Sequence, residues 1–99
     1  MNDHDAPGFN LLFVDDEDAV LASLRRLFRK DPFVIHTAGN GDDALRLFAR
    51  HRIDAAIIDL KMPGMDGMTL LRAIMERSAA TRVMMLTGHG SIKEAVTAI

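Results

Sequence analysis

Asp15 and Asp16 close one apolar run, "LLFVDD", and Asp59 closes another, "AAIIDLKMPG"; a third, "RVMMLTGHG", ends in Thr87 and Gly88. Neighbouring strands lie about 4.8 Å apart, so carboxylates at the ends of adjacent strands can share one small ion. Three such carboxylates repel one another and resist ionisation unless a cation joins them. An all-oxygen set with water completing the shell suits Mg²⁺, or Mn²⁺ in its place. A carboxylate beside that ion can attack a phosphoryl donor and form an aspartyl phosphate, the metal offsetting the repulsion between the two anions. The Thr87 hydroxyl and the Gly88 N–H could then hold phosphoryl oxygens. The group adds roughly −1.5 to −2 charge at neutral pH, enough to reposition a loop.

Each feature has a plainer reading when taken alone. "DDED" over 15–18 suits a helix N-terminus, where the macrodipole favours acids. Asp59 before Met62-Pro63-Gly64 could cap a turn, and Thr87 could simply end a strand. What outweighs these readings is convergence, since ligands of parallel α/β sheets bind beyond the carboxyl ends of the strands.

The elements that must do the positioning are legible from hydrophobic spacing. Residues 9–14 predict a strand, and 17–30 a helix with Val20, Leu21, Leu24, Leu27 and Phe28 on one stripe. Arg25, Arg26, Arg29 and Lys30 fill its last turns, and Asp31-Pro32 stops it. "FVIHTA" (33–38) is a second strand, and 42–51 a second helix carrying Ala44, Leu45, Leu47 and Phe48. A third strand over 54–58 leads to Asp59. A third helix over about 68–77 buries Leu70, Leu71, Ile74 and Met75. Residues 82–87 form a fourth strand, and the capping box "SIKE" (91–94) opens a fourth helix. This alternation of apolar strands with helices predicts a parallel sheet covered on both faces. Met68, Met75, Met84 and Met85 are expected at core-facing positions.

Ninety-nine residues make one domain, expected over 9–99 behind a frayed tail at 1–8. A net charge of −2 gives no electrostatic case for nucleic acid or an anionic membrane. The chain has no cysteine, its N-terminus lacks a signal-peptide core, and no apolar run is long enough to span a bilayer, so a cytoplasmic location is expected. No two of its four histidines have metal-ligand spacing; all read as structural or solvated, with His89 alone placed near the Thr87 end. "GNGDDA" (39–44) matches a dinucleotide-binding pattern but follows the second strand rather than the first, so it reads as a turn with Asn40 or Asp42 as helix cap.

Together "FVDDED", "IIDLKMPGMDG" and "MMLTGHG", in this order and spacing, resemble the receiver domain of two-component response regulators, over about Leu11 to Ile99. The resemblance implies a flavodoxin-like, doubly wound parallel sheet of order 2-1-3-4-5. It implies that Asp59 accepts a phosphoryl group from a histidine kinase, a phosphotransfer protein or a small-molecule donor. Asp16 and Asp59 would bind Mg²⁺ directly, Asp15 mainly through water, with the backbone carbonyl of Lys61 as a further ligand. Thr87 would be the switch hydroxyl, and Lys61 and His89 would tune the lifetime of the phosphate. The sequence ends before the family's fifth strand and helix, and lacks its phosphate-pairing lysine and the aromatic partner of the switch threonine. A fragment is therefore expected, with an exposed fourth strand that favours a homodimer or strand exchange.

The expected function is a phosphorylatable signalling switch, not a metabolic enzyme. A Mg²⁺-dependent phosphatase of the haloacid dehalogenase type would also use an aspartyl phosphate, but it wants D-x-D where this chain reads Asp15-Asp16-Glu17. A receiver fragment serving only as a binding or dimerisation module is the other alternative.

Overall fold

The computed structural model describes residues 8–60, 62 and 64–86. Among these residues four parallel strands alternate with three helices: β1 (Phe9–Val14), α1 (Asp18–Leu27), β2 (Phe33–Ala38), α2 (Gly41–Arg50), β3 (Ala55–Asp59), α3 (Gly67–Arg77) and β4 (Arg82–Leu86). The sheet order is β2-β1-β3-β4, as expected of a flavodoxin-like sheet. β1 and β2 have the bounds predicted from the sequence. The tail over 1–7 and the fourth helix expected from 91 onward lie outside the described residues.

Strand residues alternate between the faces, and the core divides accordingly. Leu12, Val14, Ala56 and Ile58 pack with Ala44 of α2 and with Leu70 and Ile74 of α3. Phe13 faces the other way, against Val20, Leu21 and Leu24 of α1. The chain moves from β1 to β2 in one direction and then back through β3 and β4. Right-handed crossovers therefore send α1 to one face and α2 with α3 to the other. This reversal puts the switch point between β1 and β3, at the carboxyl ends of those strands.

Local chemistry sets the helix starts. Asn40 caps α2, its side chain accepting from the Asp43 N–H at 2.8 Å, which settles "GNGDDA" as a turn. Asp66 caps α3 through the Thr69 N–H at 2.8 Å. That amide, aided by the Thr69 hydroxyl, holds the Asp66 carboxyl below its ordinary range. α1 stops at Leu27, short of the predicted end at Lys30, and the Phe28 ring stacks on Phe13 at 5.8 Å.

The methionine expectation fails at three of four positions. Met68, Met75 and Met84 are 44%, 50% and 56% exposed, and only Met85 packs against the core. In α3 the buried stripe is Gly67, Leu70 and Ile74. Met68 and Met75 each follow a stripe residue by one position, about 100° around the helix. Met84 pairs in register with Ile57 on the α1 face of the sheet, and among the described residues α1 covers the β1–β2 side of that face. Leu27, placed on the α1 stripe from sequence, is also exposed.

A polar belt crosses the opposite end of the sheet. His36 Nε2 lies 3.0 Å from Oδ1 of the fully buried Asn10. The Asn10 N–H donates to Asp54 Oδ2 at 2.7 Å, and the Asp54 N–H donates back to the Asn10 carbonyl at 2.9 Å. The Arg82 N–H then donates to the Asp54 carbonyl at 3.1 Å, so one polar chain ties the starts of β1, β3 and β4 to the middle of β2. His51, distant in sequence, lies against His36 with ring centroids 4.5 Å apart. Burial, then the charges of His51 and Arg25, push the His36 pKa below its ordinary 6.5. The unfolded chain thus protonates first as pH falls. His36 contributes full stability above about 6.5 and loses it as the pH drops toward its folded value. The melting temperature is expected to fall along that arm, less steeply in His36→Gln. An identical slope in the variant would exclude His36 as the source.

β2 is an edge strand, and its rim is occupied. Arg25 reaches over from α1, Nη1 donating to the Ile35 carbonyl at 3.3 Å and Nη2 to Thr37 Oγ1 at 2.9 Å.

Candidate functional site

Register alone brings the acids together. Val14 pairs with Ile58 across β1 and β3, so the next residues, Asp15 and Asp59, emerge side by side. The Asp15 N–H donates to the Ala38 carbonyl at 3.1 Å, extending the β1–β2 ladder one residue past Val14. Ligand oxygens of Asp15, Asp16 and Asp59 all lie within 4.8 Å of one another. No other group of three or more such side chains occurs among the described residues.

The three differ in environment. Asp15 is 4% exposed, Asp59 is half-buried and Asp16 is exposed. Burial pushes the Asp15 carboxyl above its ordinary range, and the charges of Asp59, Asp16 and Glu17 push the same way. The Glu17 N–H opposes them by donating to Asp15 Oδ1 at 2.8 Å. That bond also fixes the direction of the carboxylate. A buried carboxyl held among like charges, with only oxygen donors around it, is the donor set a hard divalent cation requires.

Gly67 supports the floor of the site. A Cβ there would lie 2.9 Å from Leu60 Cα and 3.1 Å from the Asp59 carbonyl, so no side chain fits between the start of α3 and the Asp59 backbone. The Gly67 N–H closes the loop onto the Leu60 carbonyl at 3.3 Å. Gly64 turns that loop with φ at 81°, a conformation that favours glycine. Sequence patterns point to the acids but to neither the Glu17 amide nor Gly67. The terminal "DG" of "MPGMDG" is the available signal for the glycine. Lys61, Thr87, Gly88 and His89 lie outside the described residues.

The family model described as "Response regulator receiver domain" matches residues 11–99. The chain belongs to this family. Over 89 residues this receiver domain is 37% identical to the regulatory protein AtoC of Escherichia coli, a match covering 90% of the chain and 19% of AtoC. It is likewise 38% identical to the transcriptional regulatory protein GlrR of E. coli, spanning 20% of it. It therefore spans about a fifth of the curated relatives it matches first. Among solved structures, the signal receiver domain of an HD domain-containing protein from Pseudomonas fluorescens superposes with a TM-score of 0.78 at 33% identity, over 93% of this chain and 74% of that one. The response regulator TrrA of Thermotoga maritima, solved with Mg²⁺ and BeF, gives 0.73 at 28% identity, over 87% and 75%. TrrA in complex with the histidine kinase ThkA gives 0.73 at 30%, over 82% and 72%.

Proposed function

We infer that this receiver domain takes a phosphoryl group on Asp59 from a histidine kinase in a Mg²⁺-dependent reaction, and so acts as a cytoplasmic signalling switch rather than a metabolic enzyme. The observation that carries the reading is the convergence of Asp15, Asp16 and Asp59 within 4.8 Å at the switch point of the sheet. TrrA, solved with Mg²⁺ and BeF and with a histidine kinase, supports the choice of ion and donor.

Asp15 and Asp16 would hold the cation with Asp59, and the backbone carbonyl of Lys61 would join them by resemblance. A divalent cation there supplies positive charge between the Asp59 carboxylate and the incoming phosphoryl oxygens. Asp59 sits at the end of a buried strand, which holds its carboxylate in one place for in-line attack. An Asp59 oxygen forms the new bond to phosphorus while the donor's P–N bond breaks, the electron pair staying on the donor imidazole. The Glu17 N–H fixes one Asp15 oxygen, which would leave its carboxylate oriented to hold the cation. Thr87 and Gly88 would receive the phosphoryl oxygens, by the same resemblance.

Incubation with Mg²⁺ and acetyl phosphate is expected to add one phosphoryl group to the intact mass. A chain that stays unmodified under those conditions and with a cognate-type kinase would refute the reading.

Self-association through β4 accompanies this proposal. β4 is the outer strand of the sheet among the described residues, and its own Met84 is 56% exposed. Light scattering at rising concentration is expected to show mass above that of a monomer. A constant monomer mass would exclude it.

A further inference from the structure

The charge of this chain is segregated. Residues 25–52 carry seven of its twelve Lys and Arg but only three of its fourteen Asp and Glu, a formal +4 in a chain of net −2. These residues run from the last turn of α1 through β2 to the end of α2, so they surround the β2 edge, on the other side of β1 from β3 and Asp59.

At that edge lies a cleft of about 250 Å³ lined by Thr37, Asp43, Arg46, Leu47 and Arg50. Arg46 and Asp43 neutralise each other through an ion pair of 2.7 Å. Arg50 makes no ion pair among the described residues. Arg25 borders the cleft through its bond to Thr37, and its hydrogen bonds go to neutral oxygens. Among the described residues, Arg50 in the cleft and Arg25 at the adjoining β2 rim are thus guanidinium groups without a carboxylate partner, beside a partly apolar floor to which Leu47 contributes. The Arg25 charge also contributes to lowering the pKa of His36, on the same strand.

We propose that the β2–α2 cleft is a docking site for an acidic polypeptide segment of a partner protein, its carboxylates meeting Arg25 and Arg50 and an apolar side chain resting on Leu47. Planar guanidinium groups pair with carboxylates through two parallel N–H···O bonds. A nucleic acid fits less well. The cleft is short, and Asp42 and Asp43 sit at its α2 end, where a continuous phosphate backbone would meet like charge. The proposal is independent of phosphorylation at Asp59.

The test is fluorescence anisotropy with a labelled peptide of repeated Glu-Glu-Leu triplets at low ionic strength, where screening is weak. Binding by the unmodified chain is expected, and Arg50→Glu should weaken it by about tenfold or more. The Arg50 side chain makes no hydrogen bond or ion pair among the described residues, and circular dichroism of the variant checks that it stays folded. Arg72→Glu, an equal charge change on the exposed face of α3, should alter affinity by less than about twofold. Arg50→Lys should retain part of the binding. No binding by the unmodified chain, equal losses in Arg50→Glu and Arg72→Glu, or tighter binding of a duplex DNA probe than of the peptide would each overturn the proposal.

Discussion

Asp59→Asn is expected to abolish phosphoryl uptake from acetyl phosphate, leaving the intact mass unchanged where the parent chain gains one group. The amide keeps the size and strand position of the carboxylate but is a poor nucleophile, and it removes one of three charges drawing in a cation. Strand β3 holds Asp59 in place through its pairing with β1 and β4, so the substitution changes chemistry rather than position. Asp16→Asn separates the two roles. Asp16 belongs to the acid cluster but is not the attacking group, so uptake should slow and need more Mg²⁺ without disappearing. Uptake by Asp59→Asn equal to the parent would put the acceptor on another residue and end the proposed mechanism.

Asp15→Asn is expected to change stability in opposite directions according to the metal. Asp15 is 4% exposed, and burial with three neighbouring acids raises its pKa. A raised folded pKa means that the folded state holds the proton more tightly than the unfolded chain. The ionised form at neutral pH is therefore a liability that protonation at lower pH relieves. Asparagine carries no charge and its Oδ1 can still accept from the Glu17 N–H. Without metal the variant should be more stable by about 1 kcal/mol, or about 4–8 °C in melting temperature for a domain of this size. The parent gains in its turn from the cation, by about 1.4 kcal/mol when free Mg²⁺ stands at about ten times its Kd. Most of that gain should vanish in Asp15→Asn. Thermal melts of both chains, with Mg²⁺ and with chelator, read the two effects together. A parent that melts at the same temperature in both conditions would remove the metal site from this chain.

These three substitutions fall on residues that hydrophobic periodicity and strand ends make visible in the sequence itself. Asp15 and Asp59 follow apolar runs, and a parallel register needs only those runs to bring them side by side. The strand order follows from the resemblance, and the reversal about β1 accounts for which helix covers which face. Tertiary facts are harder to see. Met84 has the composition of a core residue and the register of one, but burial depends on what crosses that half of the sheet. His36 and His51 have no ligand-like spacing because the whole of helix α2 separates them in sequence, while folding lays one ring on the other. The Glu17 amide that orients Asp15 belongs to the backbone, and side-chain patterns do not report it. Gly67 is readable only as a turn residue; its closeness to Leu60 and Asp59 depends on where α3 enters.

The guanidinium of Arg25 gives the sheet a direction of growth. With the Ile35 carbonyl already engaged at the β2 rim, an incoming strand would have to displace Arg25 there, whereas among the described residues β4 ends the other side with no such clasp. A sheet with one blocked rim and one open rim has a valence of one. Two copies joined through β4 would each spend their only open side and present Arg25-guarded rims outward. In such a pair, strand addition would end at the first step and leave a finite assembly rather than a ribbon.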